Sequence, residues 1–202
     1  NYSQYDLNGS GWQIYSGPIT VSNNGTNTIQ FRSVDNAGNT ESTKQITFKI
    51  DTIQPSNPTS INPGCTATNG EWLNTCNDPS FTWSGASDNA SGVAGYQYEW
   101  SSSSSGTTGY TTSASYNPGA VGEGTYTLKI RVKDNAGNYS AWKTMFILKY
   151  DGTIPTGNLI INNDDPFTYK TLVTLSPSAS DNLSGPKLVR FRDRGETWSN
   201  WQ

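Results

Sequence analysis

The feature that constrains this chain most is an internal repeat with a period close to one hundred residues. The segment TIQFRSVDNAGNTES at 28–42 returns as TLKIRVKDNAGNYSA at 127–141, a spacing of 99 residues. Just past each copy an Asp opens a linker, DTIQPS from Asp51 and DGTIPT from Asp151, spaced by 100. A second pair links SDNASGV from Ser87 with SDNLSGP from Ser180. A third links the two ends, since YDLNGSGWQIY from Tyr5 aligns without gaps to FRDRGETWSNW from Phe191. A repeat of this kind means that one structural unit, small enough to fit the period, recurs along the chain.

Inside the period the hydrophobic pattern is that of strands. Across Gly124–Asp134, Tyr126, Leu128, Ile130 and Val132 alternate with Thr127, Lys129, Arg131 and Lys133, giving one dry face and one wet face. Tyr96, Tyr98 and Trp100 alternate with Gln97 and Glu99 in the same way, Phe81 and Trp83 form a shorter inward pair, and Met145–Leu148 reads as a closing strand. Pro and Gly clusters punctuate the chain, and no segment carries a helical period. A hundred residues of short strands is the size of one immunoglobulin-type sandwich. The fold class expected is therefore all-β, tandem immunoglobulin-like β-sandwich repeats with no substantial helix. Residues 52–151 are expected to form a complete repeat. Residues 1–51 read as the C-terminal part of a preceding one, and 152–202 as the N-terminal part of a following one. The Tyr5/Phe191 alignment makes the two partial repeats overlap by about a dozen residues, so they are not complementary halves.

Composition supports a folded chain and narrows its partners. Charged residues are only 14%, against about 25% in ordinary globular proteins, so Ser, Thr, Asn, Gln and Gly must supply most of the wet surface. Aromatics reach 12%, with seven Trp and eleven Tyr, and their rings can bury the area that aliphatic residues do not. Thirteen basic residues face sixteen acidic ones with no basic run, which excludes a nucleic-acid footprint. The apolar stretches are far too short to span a bilayer. Asn1 is not a natural start, so the N-terminus reads as cut from a longer polypeptide. The two cysteines, Cys65 and Cys76, bracket CTATNGEWLNTC, a spacing that suits no zinc pair in a chain without His. A disulfide closing this loop is expected, stabilising by roughly 3 kcal/mol and pointing to an oxidising compartment.

On these motifs the chain resembles a known group. FTWSGASDNASGVAGYQYEW, then GTYTLKIRVKDNAGNYSAW and the YDGTIPT linker, are similar to bacterial Ig-like (fibronectin-III-like) repeats that occur in tandem in large secreted and surface proteins. The resemblance covers essentially the whole chain. It implies spacers, stalks, adhesion modules or appendages to catalytic domains, and a fold by itself does not choose among these.

Several motifs admit both a structural and a chemical reading. The DNAGN turns at 35–39 and 134–138 have a Gly that can take positive φ and an Asp that can bond backbone N–H groups, which makes them hairpin locks. The same oxygens suit calcium, so Asp35, Asp51, Asp88, Asp134, Asp151 and Asp181 are candidate calcium ligands, although no EF-hand spacing occurs. Pro55 and Pro155 stop the closing strands and restrict the joints that follow. Trp12, Trp198 and Trp201 lie in Gly-rich hairpins and are candidate glycan contacts, while Trp83 and Trp100 fit buried positions. The run SSSSSGTTG at 101–109 reads as a flexible loop.

Catalysis finds no support in the residues. Without His there is no Ser–His or Cys–His nucleophile, and Glu99, Glu123 and Glu196 form no evident carboxylate pair. The function expected is a structural or adhesive segment of an extracellular, cell-surface or filament protein, partnered by neighbouring repeats. The alternative is a non-catalytic module attached to a secreted hydrolase, binding extracellular polysaccharide.

Overall fold

The computed structural model describes residues 1–202, and they form an all-β chain whose strands pair antiparallel except for one short parallel pair at the edge of the middle sandwich. The first is built from β1 (Tyr2–Leu7), β2 (Gln13–Ile14), β3 (Gly25–Val34) and β4 (Lys44–Ile50), in the order β2-β1-β3-β4. The middle of the chain makes two facing sheets. One is β5 (Ser60–Asn62), β7 (Phe81–Ser84) and β10 (Ser115–Tyr116) in the order β10-β7-β5. The other runs β6-β12-β11-β8-β9, from β6 (Trp72–Leu73), β8 (Val93–Ser102), β9 (Gly106–Thr111), β11 (Gly124–Asp134) and β12 (Lys143–Tyr150). Beyond the second linker, β13 (Thr156–Ile161) and β14 (Leu175–Ser180) form a two-stranded sheet, with a single 3-10 turn at Asn162–Asp164 between them. Residues 187–202 fold back as an irregular hairpin held by paired bonds between Val189 and Gln202 and by Ser199 N–H on Phe191 O.

The core lies between the two middle sheets. Phe81, Trp83, Trp100, Leu128, Ile130, Met145, Phe146 and Leu148 form one buried cluster, as the period-two pattern requires. Phe81 packs tilted on both Trp100 and Phe146, at 5.4 and 5.5 Å between ring centroids, and Trp100 stacks on Tyr126 at 5.3 Å. These rings meet because Trp100 stands opposite Leu128 in the β8–β11 register, on the face that looks at β7. In the first sheet only Asn27 and Val34 are buried, and no residue after Asp151 is.

One expectation is corrected. The Ser-rich run at 101–109 is not a flexible loop but the turn and flanks of the β8–β9 hairpin, with Ser101 opposite Gly106 and Trp100 opposite Thr107. Ser102 ties the turn: its Oγ accepts from the N–H groups of Ser104 and Ser105, 3.3 and 3.2 Å away. Short hydroxyl side chains bond nearby backbone as readily as solvent does, and here that capacity closes a turn.

Candidate functional site

The structure brings three of the six candidate aspartates together. Carboxylate oxygens of Asp51, Asp88 and Asp134 lie within 4.8 Å of one another at the junction between the first linker and the middle sandwich. Each arrives from a different element. Asp51 follows β4, Asp88 stands in the turn between β7 and β8, and Asp134 ends β11.

Local chemistry fixes all three. Asp134 is fully buried, and its Oδ1 accepts from the N–H groups of Gly137 and Asn138 at 2.7 and 2.8 Å, while Oδ2 accepts from the Asn138 amide at 2.8 Å. That turn needs Gly137 at φ +103°, where an L side chain is strained. The β8–β11 register shifts between Lys133 and Asp134, a bulge of the kind that re-aims a side chain at the end of a strand. Asp88 Oδ1 accepts from the N–H groups of Ala90, Ser91 and Gly92, at 3.1, 2.8 and 2.8 Å, and its Oδ2 carries no hydrogen bond. Asp51 Oδ1 accepts from Ile53 N–H and Oδ2 from Ser91 N–H, and the Asn138 amide reaches across to Asp51 O at 3.0 Å.

The second linker repeats the first. Asp151 Oδ1 accepts from Thr153 N–H and Oδ2 from Ser184 N–H, as Asp51 does with Ile53 and Ser91. Asp181 Oδ1 accepts from Leu183 and Gly185 N–H groups, matching the Asp88 turn. On the other side of each linker a side chain grips the next residues. Asn24 Oδ1 accepts from Thr52 N–H and Oγ1 at 2.8 and 3.1 Å, and Glu123 Oε1 accepts from Gly152 N–H and Thr153 Oγ1 at 3.0 and 2.7 Å. Hydrogen bonds from Ser91 and then from Ile53 hold the Asp51 carboxyl below its ordinary pKa. Ser184 and then Thr153 do the same for Asp151.

Asp35 lies apart from the cluster. Its turn shares the Asn bonds, with Oδ1 accepting from Asn39 N–H and Oδ2 from the Asn39 amide. But Oδ1 also accepts from Ala37 N–H where Asp134 takes Gly137, and Asp35 belongs to no cluster of three carboxylates. The Asn39 bonds, amide first, depress its pKa. The DNAGN turns are thus hairpin locks at both positions, and one of them also serves a carboxylate cluster.

The candidate tryptophans sit against cations. Trp12 is half-buried with the Arg32 guanidinium 4.0 Å from its ring centre. Trp198 and Trp201 are about half exposed, and Arg190 lies 4.7 and 4.5 Å from their centres. Each ring therefore has a guanidinium close to it.

As a ligand set, the cluster fits a hard cation. It offers a carboxylate oxygen from each of three aspartates, with neither sulfur nor imidazole. Sequence reasoning missed Asn24, Glu123, Ser91, Ser184 and Asn138, which hold the linkers. Signals for four of them existed: Asn24 and Glu123 stand 99 residues apart, and Ser91 and Ser184 occupy the same place in the SDNASG and SDNLSG motifs.

A family model described as a bacterial Ig-like domain matches residues 15–52 and 120–149. Both matches span a hairpin of the same kind, β3–β4 in one and β11–β12 in the other, each with its DNAGN turn. No curated protein matches the chain.

Proposed function

We propose that this chain, two stretches of which match a bacterial Ig-like domain model, is a structural segment of an extracellular or cell-surface protein, in which successive sandwiches are held in line by clamped linkers. In this reading 52–151 is one complete repeat and its flanks belong to the repeats on either side. The observation that carries the reading is the recurrence of one clamp at both linkers. Asp51 and Asp151 each bond a Ser N–H of the unit ahead, while Asn24 and Glu123 hold the residues that follow them. A spacer needs its joints fixed, since a free joint forfeits reach, and each repeat then contacts chiefly its neighbours. No helix is long and apolar enough to cross a membrane. The Cys65–Cys76 disulfide is of a kind that persists in oxidising surroundings. The segment does no chemistry of its own; its work is reach and attachment.

Small-angle X-ray scattering tests this directly. A single elongated, rigid particle is expected, and the paired substitution Asp51→Ala with Asp151→Ala should broaden the distance distribution. A flexible-linker profile for the unaltered chain would refute the reading.

Calcium is proposed as the cation of the Asp51/Asp88/Asp134 cluster, because three carboxylates held this close repel one another unless a cation joins them. A ligand that binds only the folded state adds about 2.7 kcal/mol at a concentration one hundred times its Kd. The Tm should rise with calcium and fall back with chelator. A Tm indifferent to both removes calcium from the proposal.

The exposure of Trp198 and Trp201 favours a second reading, a polysaccharide-binding module attached to a secreted hydrolase. Affinity electrophoresis in gels containing soluble polysaccharides separates the two. Retardation lost on Trp198→Ala and Trp201→Ala supports this second reading, and unretarded migration in every gel ends it.

A further inference from the structure

We propose that the loop closed by Cys65 and Cys76 is a redox-sensitive brace on the second linker, holding it when oxidised and releasing it when reduced. The loop leaves β5 and returns to β7 in one sheet, but between them it crosses to the edge of the other. There Asn69 Oδ1 accepts from Ile147 N–H at 2.7 Å, and Gly70 N–H donates to Ile147 O at 2.9 Å. Trp72 and Leu73, as β6, pair in parallel with Lys149 and Tyr150 of β12. The last bond of the series runs from Asp151 N–H to Leu73 O, 2.9 Å. Asp151 is the residue whose carboxylate grips Thr153 and, in the unit ahead, Ser184. A continuous path therefore runs from the disulfide through β6 to the second joint.

The first linker has no such path. Asp51 follows β4, and β4 ends its sheet with no strand on its outer side. The chain thus holds its own control, two joints with the same carboxylate clamp and only one of them braced.

A two-residue strand has too few hydrogen bonds to persist alone, so closure of the loop is what keeps β6 in place. Cys76 also stands at φ +74°, a conformation that costs a non-glycine residue energy and relaxes when the surrounding constraint is lost. Reduction breaks the S–S bond with two electrons and two protons from a dithiol, which is itself oxidised to a cyclic disulfide, and leaves two thiols. β6 then frays, and the Asp151 N–H loses its acceptor.

The inference rests on the clamped-linker geometry but not on the spacer role, and its readout is local. Amide hydrogen exchange is measured on the 202-residue chain, oxidised and after dithiothreitol, with Cys65→Ser/Cys76→Ser as the permanent reduced form. Peptides over 147–155 should exchange roughly tenfold faster in both reduced forms. At exchange times too short for global unfolding to contribute, peptides over 47–54 at the first linker, and over the β11 core at Leu128–Val132, should not change. Unchanged exchange at 147–155 while the 65–76 loop is freed would overturn the brace. Faster exchange spreading into β11 at those short times would overturn it too, by showing that the bond holds the whole sandwich rather than one joint. A non-elongated particle in scattering, with the brace intact, would defeat the spacer reading alone.

Discussion

The sheet of β1–β4 and the sheet around β11 share one strand order, β2-β1-β3-β4 beside β9-β8-β11-β12, and one DNAGN turn with the same Asp–Asn bonds inside it. They differ in what lies against them. Leu128 of β11 is fully buried under β7 and its neighbours, whereas Ile29, which stands 99 residues earlier at the matching position, is only half-buried. Ile46 of β4 is 59% exposed, where Phe146, its counterpart one hundred residues on, is 3% exposed. Strand pairing and turn closure thus follow from short stretches of sequence, while burial needs a second sheet. The same contrast separates Asp35 from Asp134. Both carboxylates lock a turn, but only Asp134 is buried, bulged into place and joined by Asp51 and Asp88.

The contrast can be broken most sharply in the core. Leu128→Ala removes a fully buried side chain and should cost about 3 kcal/mol, while Ile29→Ala should cost about 1 kcal/mol, read by urea denaturation. Equal costs would mean that the first sheet is covered as well as the middle one. Next in size is the disulfide: Cys65→Ser/Cys76→Ser should lower stability by about 2–3 kcal/mol in the same assay, by freeing the loop in the unfolded chain.

Gly38→Ala and Gly137→Ala probe the turns themselves. Both glycines stand at positive φ, +92° and +103°, with open space where a Cβ would go, so each change should cost about 1 kcal/mol from backbone strain alone. A much larger cost at Gly137 would show that the carboxylate cluster depends on that turn. Calcium sharpens the same comparison. Asp134→Asn should abolish a calcium-dependent rise in Tm, and Asp35→Asn should leave it intact, measured by thermal melts with and without chelator.

The smallest effect expected is with pH. Hydrogen bonds from Ser91 and Ile53 depress the pKa of Asp51, and those from Ser184 and Thr153 that of Asp151. The folded chain therefore binds fewer protons than the unfolded one as these groups titrate. Their contribution is complete above the unfolded Asp pKa of about 3.9 and is lost as pH falls through the lower folded values. Thermal melts should hold level from neutral pH toward 5 and decline below 4, less steeply after Asp51→Asn.

Much of this is legible in the sequence. Alternation placed Trp83, Trp100, Leu128 and Ile130 in the core, and the Asp-x-x-Gly-Asn spelling located both turns. β6 was not legible, because Trp72 and Leu73 are held by an edge, a disulfide and Asp151 rather than by a pattern of their own. Nor was the β8–β9 hairpin, since hydroxyl-rich sequence closes a turn as readily as it makes a loop.

What the sequence by itself determined is the repeating unit, its strands and its turns, since these depend on periods of two residues and on contacts within five. Which aspartates meet was decided only by tertiary structure. Asp51 and Asp134 are 83 residues apart in the chain and come together because β4 hands over to a linker that runs past the end of β11. No local preference encodes that meeting; it follows from how one sheet is laid beside the next.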